Sequence, residues 1–288
     1  MAPVEQSAHP PAAWIFQCNP DRFDIDGYLK TARNILFLVR QHGDAVRAGQ
    51  TVYMWRNAGE SKAVPGVVAV GTLTGAPETR PDQPDAEPFW KDPAEGQVAD
   101  RRVGIRIVEV ATPKHVIKSD WLAEDPVCGD LPNLRMHQAT NYMLSAAHAQ
   151  RLARLWSKTG VDFDRADLLL SLRAYADTFG TGVSKLPGSP VSNTAVLSGR
   201  AVSSIYAKVM NFRAQDPRNP GEGQANAGEP TREIWAEFWT GQDIDRTRLD
   251  AAIAAVMTPG AEPTTLQEIK AEAEAIEGYS VEIGRAHV

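Results

Sequence analysis

The sequence predicts a mixed α+β fold, and two observations support that prediction. Segments with strand-like alternation are concentrated in the first half of the chain, whereas segments with helical spacing dominate the second half. Strands and helices that are segregated along a chain favour the α+β class over a parallel α/β sheet. A length of 288 residues is enough for two domains, each with its own core.

Four segments of the first half predict strands. WIFQCNP is rich in aromatic and aliphatic residues and ends on Asn19-Pro20, a pair typical of a turn. In TVYMWR, successive side chains fall on alternate faces of a strand, and VVAVGTLTG is expected to be its partner strand. RVGIRIVEV shows the clearest alternation of side chains in the sequence. IDGYLKTARN predicts a short helix. APETRPDQPDAEPFWKDPAEG predicts a loop, because its five prolines interrupt regular structure.

Helical patterns follow, and they predict the domain organisation. LSAAHAQRLARLW closes the first domain, and ADLLLSLRAYADTFG predicts a helix with Asp164 as its N-cap and Gly180 beyond its end. GTGVSKLPGSPVSN predicts a loop before the helix SGRAVSSIYAKVMNFRAQ, and TREIWAEFW, DRTRLDAAIAAVMT and QEIKAEAEAIEG predict further helices. We therefore expect a disordered leader over 1–12, a first domain over 13–157, a helical module over 158–280 and a separate tail over 283–288.

Composition and charge exclude several classes of protein. A hydrophobic content of 43% and a charged content of 23% are typical of a soluble globular chain, and no apolar run is long enough to span a membrane. The N-terminus does not resemble a signal peptide, and two cysteines make neither a disulfide framework nor a metal site, so we expect a cytoplasmic location. The net charge of −6 disfavours nonspecific coating of nucleic acid; any such contact is expected to be selective.

The sequence carries no pattern typical of a catalytic site. Its six histidines are scattered, and neither a GxGxxG motif nor a P-loop is present. Glu268 and Lys270 match the end of a nuclease motif, but they lie in a predicted helix without the strand that should precede it. We therefore expect no catalytic residue, no metal site and no cofactor in this chain.

Four segments of the first half resemble the EVE domain, a member of the PUA-like superfamily related to the YTH readers of methylated adenine. They follow the order and spacing of that family from Trp14 to Trp156: WIFQCNP, AGQTVYMWR, PGVVAVGTL and ATNYMLSAAHAQRLARLW. The resemblance implies a small, strongly bent β-barrel with flanking helices. It also implies a pocket that holds a modified nucleobase.

The second half resembles a helical module found beside HNH nuclease domains in bacterial restriction proteins. The resemblance rests on Tyr175, Leu197, Ser198, Arg200, Lys208, Asn211, Phe212, Asp216 and Pro217. Together the two resemblances imply the recognition part of a modification-dependent restriction or defence protein, with modified DNA and a nuclease domain or subunit as partners. The last residues, IGRAHV, resemble a translated sequencing adapter, so we expect the natural protein to continue past residue 282 into an HNH nuclease domain.

A flipped base is best held by aromatic stacking and by polar groups along its edge. The resemblance places the base-binding pocket at Trp14, Asn19, Phe37, Trp55, Gly66, Val67, Thr140, Asn141 and Tyr142. Several of these residues could have a structural role instead. The aromatic residues could pack in the core, Asn19 could form a turn, and Gly66 could simply begin a strand. The loop tryptophans Trp90 and Trp121 are more typical of anchors onto a barrel.

Basic residues supply candidates for contact with the nucleic-acid backbone. Around the expected pocket mouth these are Arg33, Arg40, Arg56, Lys62 and Lys114, and in the helical module they are Arg200 and Lys208. The alternative is a solvated charged surface. A second hypothesis for the whole chain is an RNA-binding or RNA-modification accessory factor, because the PUA-like barrel is widespread in that role and base stacking serves RNA equally well.

Overall fold

The computed structural model describes residues 12–60, 62–136, 138–219 and 227–257. The leader apart from its last residue, the predicted helix QEIKAEAEAIEG and the tail over 283–288 lie outside these residues. The chain forms two compact units, Met1–Ser119 with Asp130–Gln150 and Asp120–Gly129 with Arg151–Val288. Strands occupy the first unit and helices dominate the second, so the predicted α+β class is confirmed.

The first unit is built on a sheet of eight strands among the described residues. The strands are β1 (Ala13–Cys18), β2 (Asn34–Leu38), β3 (Thr51–Arg56), β4 (Gly66–Leu73), β5 (Glu78–Arg80), β6 (Asp100–Val110), β7 (Ile117–Lys118) and β8 (Asn141–Leu144). The main order is β2-β6-β4-β3-β1-β8, while β5 pairs with β6 and β7 pairs with β4. The β1–β3 pair is parallel and the other pairs are antiparallel.

The sheet bends until its two edge strands meet. Register shifts between Met54 and Trp55, and between Val70 and Gly71, mark irregularities that add twist and bend to the strands. At the edges, Gln41 N after β2 donates to Asn141 Oδ1 at the start of β8 over 3.1 Å, and Asn141 Nδ2 donates back to the Gln41 carbonyl. The sheet is therefore a strongly bent, barrel-like structure.

Short helices flank this barrel. They are α1 (Ile25–Thr31), α2 (Pro93–Gln97) and α4 (Pro132–Arg135), with 3-10 helices at Gly43–Ala45 and Pro84–Phe89. The predicted α1 begins as expected, because the Asp24 side chain accepts a hydrogen bond from Gly27 N. Two further helices, α3 (Ser119–Ala123) and α5 (Ala146–Lys158), cross the boundaries between the units along the chain. The barrel core contains Trp14, Phe16 and Met54.

The proline-rich segment contradicts the prediction of a plain loop. It forms β5, the 3-10 helix Pro84–Phe89 and α2. Pro84 and Pro93 stand at the first position of their helices, where the missing N–H is not needed and the fixed φ suits the start of a helix. The prolines therefore begin these elements instead of preventing them.

The second unit packs its helices around an apolar core. They are α6 (Arg165–Thr178), α7 (Pro190–Ser198), α8 (Val202–Arg213), α9 (Glu229–Phe238) and α10 (Arg246–Val256). Asp164 is the N-cap of α6, as predicted, and forms a capping box with Asp167. The helix α7 begins inside the predicted loop GTGVSKLPGSPVSN, because Ser189 caps it and Pro190 starts it. None of the described helices is both long and apolar enough to cross a membrane.

Candidate functional site

A cleft of about 250 Å³ lies in the first unit, where β1 ends beside β2 and the residues that precede β8. The proline-rich segment and the start of β6 contribute to the same cleft. Its lining consists of Gln17, Cys18, Asn19, Arg22, Phe23, Leu36, Phe37, Leu38, Arg40, Asn57, Asp82, Trp90, Arg102, Gln138, Ala139 and Thr140. The cleft thus combines aromatic rings, carboxamides, one carboxylate and three arginines.

Aromatic rings form the apolar walls of the cleft. Phe37 on β2 is half-buried and packs against Phe16, with ring centroids 5.6 Å apart. Trp90 packs edge-on against Phe23 at 5.0 Å, so the proline-rich segment brings its ring to the cleft. Rings held by neighbouring rings provide rigid, flat surfaces, and such surfaces suit a planar ligand.

Carboxamide side chains supply hydrogen-bonding groups around these walls. Asn19 both turns the chain and lines the cleft, since its Oδ1 accepts a hydrogen bond from Asp21 N over 3.0 Å. Asn57 is oriented from behind by Trp55, whose Nε1 donates to Asn57 Oδ1 over 3.0 Å. An amide both donates and accepts, so these side chains can match the polar edge of a heterocycle.

A buried ion pair forms one part of the wall. The Arg102 and Asp82 side chains are only 2% and 6% exposed, and Arg102 Nη1 lies 3.3 Å from Asp82 Oδ2. Trp90 Nε1 donates to the same oxygen over 3.0 Å. Burial raises the pKa of Asp82 above its ordinary value although Arg102 opposes the shift, and burial lowers the pKa of Arg102. Each charge compensates part of the other's desolvation, so the two side chains depend on one another.

Two exposed arginines lie at the cleft. Arg22 pairs with Glu95 at 2.7 Å, and Arg40 pairs with Asp100 at 3.4 Å. Exposed ion pairs of this kind contribute little stability, so either arginine can exchange its carboxylate for a phosphate at small cost. The cleft therefore has cationic groups suited to a polyanion.

Four of the predicted site residues line this cleft: Asn19, Phe37, Arg40 and Thr140. Thr140 is held in place by Gln41, whose Oε1 accepts hydrogen bonds from Thr140 N and Oγ1 over 3.0 and 3.1 Å. These four residues are the part of the lining that sequence reasoning had named.

The predicted pocket residues Trp14, Trp55, Gly66 and Val67 are placed elsewhere. Trp14 is fully buried in the barrel core, where its Nε1 donates to Gln50 Oε1 over 2.9 Å. Trp55 is buried behind the cleft and reaches it only through Asn57. Gly66 and Val67 are buried in β4, against β7. These side chains support the barrel and do not line the cleft.

Asn141 and Tyr142 are also buried, and both support the chain that carries Thr140. Asn141 joins the two sheet edges through Gln41. The Tyr142 hydroxyl donates to the Met136 carbonyl and accepts a hydrogen bond from Ala139 N over 3.1 Å. Their contacts identify them as positioning residues for the segment before β8.

The other basic candidates of the first unit lie outside the cleft lining. Arg56 is mostly buried and bonds to Asp26 and the Val64 carbonyl. Arg33 is exposed, and its Nη1 donates to the Leu29 carbonyl over 2.6 Å. Lys62 and Lys114 are exposed.

In the helical unit, the two basic residues predicted to contact a nucleic-acid backbone are not free on the surface. Arg200 is 4% exposed, its Nη2 bonds to Asp167 Oδ2 at 2.6 Å, and its guanidinium lies 4.2 Å from the centre of the Phe163 ring. Lys208 is half-buried, and its Nζ donates to Thr231 Oγ1 over 3.2 Å. Both cations point into the unit, because each pairs there with a buried polar group: the Asp167 carboxylate for Arg200 and the Thr231 hydroxyl for Lys208.

Sequence reasoning missed several lining residues, among them Gln17, Arg22, Asn57, Asp82 and Arg102, and it rated Trp90 as an anchor. No signal in the sequence distinguishes Arg102, because β6 also carries Asp100, Arg101, Arg106 and Glu109. Among the described residues, no group of three His, Cys, Asp or Glu side chains could hold a metal ion.

No protein-family model matches the sequence, and no curated protein matches it. Solved structures show partial likenesses. A hypothetical protein from Leishmania major is 14% identical, over 53% of this chain and 98% of that chain, with a TM-score of 0.38. Human THYN1 in complex with 5-methylcytosine-containing DNA is 14% identical, over 51% and 98%, with a TM-score of 0.36. The DUF55 domain of human thymocyte nuclear protein 1 is 13% identical, over 52% and 99%, with a TM-score of 0.36. Structures with such low identities and TM-scores support no conclusion about function. A functional proposal has to rest on the cleft.

Proposed function

We propose that this chain reads a modified nucleobase in DNA by holding the flipped base in the cleft. The observation that carries the proposal is the combination of the Phe37 and Trp90 rings with amide and charged groups in one small cavity. Ring faces stack on a base of any sequence, and polar groups read its edge. The volume of about 250 Å³ is below the roughly 300–1,000 Å³ of sites for drug-sized ligands, which suits one base.

The reader role includes no chemical step in this chain. We further propose that the chain is the recognition part of a modification-dependent restriction or defence protein of bacteria, with its nuclease on a further domain or a partner subunit. The resemblance of the second half to modules beside HNH nucleases supports this part. Because human THYN1 was solved with 5-methylcytosine DNA, that base is the first probe to use.

The test is the affinity of purified protein for a DNA duplex that carries one 5-methylcytosine opposite an abasic site. Phe37→Ala should weaken binding about 5- to 150-fold, which corresponds to the roughly 1–3 kcal/mol of one base–aromatic stack. Phe89→Ala is the matched control, because Phe89 is a half-buried phenylalanine that packs on Tyr28 outside the cleft lining. Equal weakening by both variants would show that the cleft holds no base.

Two further readouts separate the alternatives. An RNA strand of the same sequence that binds more tightly than the DNA, with the same dependence on Phe37, would favour the RNA-binding hypothesis. Recovered oligonucleotide should be intact and unmodified after incubation with Mg²⁺ or Mn²⁺. Cleavage that disappears on mutation of a single residue would contradict the reader role.

A further inference from the structure

We propose that Met136 is a wedge that enters the DNA stack and fills the space left by the flipped base. The inference rests on the proposed function and adds the residue that keeps the base outside the duplex. It depends on three features of Met136: its exposure, its position at the edge of the cleft, and the hydrogen bonds that fix its backbone.

Met136 is a large apolar side chain that the fold leaves in solvent. It is 63% exposed and follows α4, ahead of the residues that lead into β8. Single exposed apolar residues are common and need no explanation by themselves. Among the exposed large apolar residues in the described part of the first unit, however, Met136 lies nearest along the chain to a cleft residue. Gln138, two positions later, lines the cleft.

The backbone of this segment is held by one buried side chain. The Tyr142 hydroxyl donates to the Met136 carbonyl and accepts a hydrogen bond from Ala139 N over 3.1 Å, so Met136 and Ala139 are bonded to the same oxygen. Met136 N also donates to the Pro132 carbonyl over 2.9 Å. Because Ala139 and Thr140 line the cleft, these bonds fix the Met136 backbone at its edge.

Base flipping creates a need for such a side chain. A base that leaves the stack exposes the faces of its two neighbours to water, and unstacking is unfavourable. The cleft of about 250 Å³ suits one base, so the gap in the stack remains outside it. Among the described residues that line the cleft, the exposed cations are Arg22 and Arg40, so phosphate contacts offset little of this penalty. An apolar side chain inserted between base steps removes the exposed faces from water.

Methionine has the chemistry for a gap between two rings. Its side chain is unbranched and adaptable, and its polarisable sulfur makes favourable contacts with aromatic rings. It carries no charge and no hydrogen-bond donor, so Met136 cannot hold a phosphate. Insertion between stacked bases is the contact with DNA that this side chain favours.

The experiment measures the affinity of the unaltered protein and of Met136→Ala for two probes of the same sequence. One probe is a duplex with 5-methylcytosine paired to guanine, in which flipping opens a gap in the stack. The other is the single strand, in which no gap has to be filled. Met136→Ala should weaken binding to the duplex about 10- to 100-fold, as expected for the loss of a buried apolar side chain, and binding to the single strand by less than about twofold.

Two further variants control for the chemistry and the location of the side chain. Met136→Leu keeps an apolar side chain of similar volume and should keep most of the affinity for the duplex. Met143→Ala removes an exposed methionine on β8, outside the cleft lining, and should change neither affinity. Thermal melting checks that all three variants are folded, and we expect little change because both methionines are exposed.

The outcomes separate this inference from the proposed function. Equal weakening of both probes by Met136→Ala, or weakening of neither, overturns the wedge. Binding that depends on Phe37 but not on Met136 overturns the wedge alone and leaves the base-binding proposal intact. A protein that binds the single strand but not the duplex has the same consequence, since it flips no base. Single-strand binding that Phe37→Ala leaves unchanged, or no binding of either probe, overturns both.

Discussion

Gly66 shows how the approach of a neighbouring strand can require one particular residue. Its φ is +152°, and a Cβ at this position would lie 2.1 Å from the backbone oxygen of Ile117 on β7. A backbone atom cannot move aside as the end of a side chain can. The resemblance placed Gly66 in the base pocket, whereas the structure explains the glycine by strand packing alone.

We predict that Gly66→Ala lowers the free energy of unfolding by at least about 1–3 kcal/mol, the usual cost of a strained backbone position. Gly75→Ala is the matched control, because Gly75 has open space around its Cβ position and an ordinary φ. That variant should change stability little. Urea unfolding of the two variants measures the difference, and equal midpoints would show that β4 and β7 can separate at no cost.

At the scale of elements, the turn after α8 depends on one buried carboxylate. Asp216 accepts hydrogen bonds from Tyr175 on α6 over 2.6 Å and from the Arg218 guanidinium over 2.6 Å. Burial alone would raise the pKa of Asp216, but the hydrogen bonds from Arg218 and Tyr175 outweigh it and hold the pKa below its ordinary value. The ionised form of Asp216 therefore stabilises this part of the fold.

The sign of the pH dependence follows from the lowered pKa. Because Asp216 has a lower pKa in the folded chain than when unfolded, its stabilisation is complete above the unfolded pKa of about 3.9 and is lost as the pH falls through the folded value. We predict that the amides of α6 and α8 lose protection below about pH 4, where protection is the ratio of the intrinsic exchange rate at each pH to the observed rate. Asp216→Asn should remove part of this dependence, and an unchanged pH profile in that variant would assign the effect to other carboxylates.

At the scale of the whole molecule, net charge limits the DNA binding that we propose. The net charge is −6, and among the described residues that line the cleft only Arg22 and Arg40 are exposed cations. Such a protein neutralises few phosphates. Affinity should therefore depend on the base in the cleft more than on the length of the duplex.

We predict a shallow salt dependence. If Arg22 and Arg40 each neutralise one phosphate, the logarithm of the binding constant should fall against the logarithm of salt concentration with a slope of about −1.8. Arg40→Gln should reduce the slope by about one. Arg33→Gln, which changes an exposed arginine outside the cleft lining, should leave it unchanged. A slope several times steeper would reveal a broad basic surface instead.

Elements with strong local signals were predictable from the sequence. The strands β1, β3, β4 and β6 follow from alternating or continuous apolar residues, and α6 follows from its spacing and from Asp164 as its cap. The shorter elements β2, β7, β8 and α4 were not predicted. A strand of two to five residues has too few side chains for a distinct period, and neighbouring strands decide whether it forms.

The sequence by itself determined the structure that is local in the chain: the turn at Asn19, the long apolar strands β1, β3, β4 and β6, and the cap of α6 at Asp164. Only the tertiary structure decided the cleft. Asp82 and Arg102 are separated by 20 residues, and they meet because β5, in the proline-rich segment, pairs with the start of β6. Thr140 comes within hydrogen-bonding distance of Arg40 N, 100 residues away, because the sheet bends until its edges join. A pattern along the chain records which face a residue occupies, but the curvature of a sheet and the path of a covering segment arise from packing between distant residues.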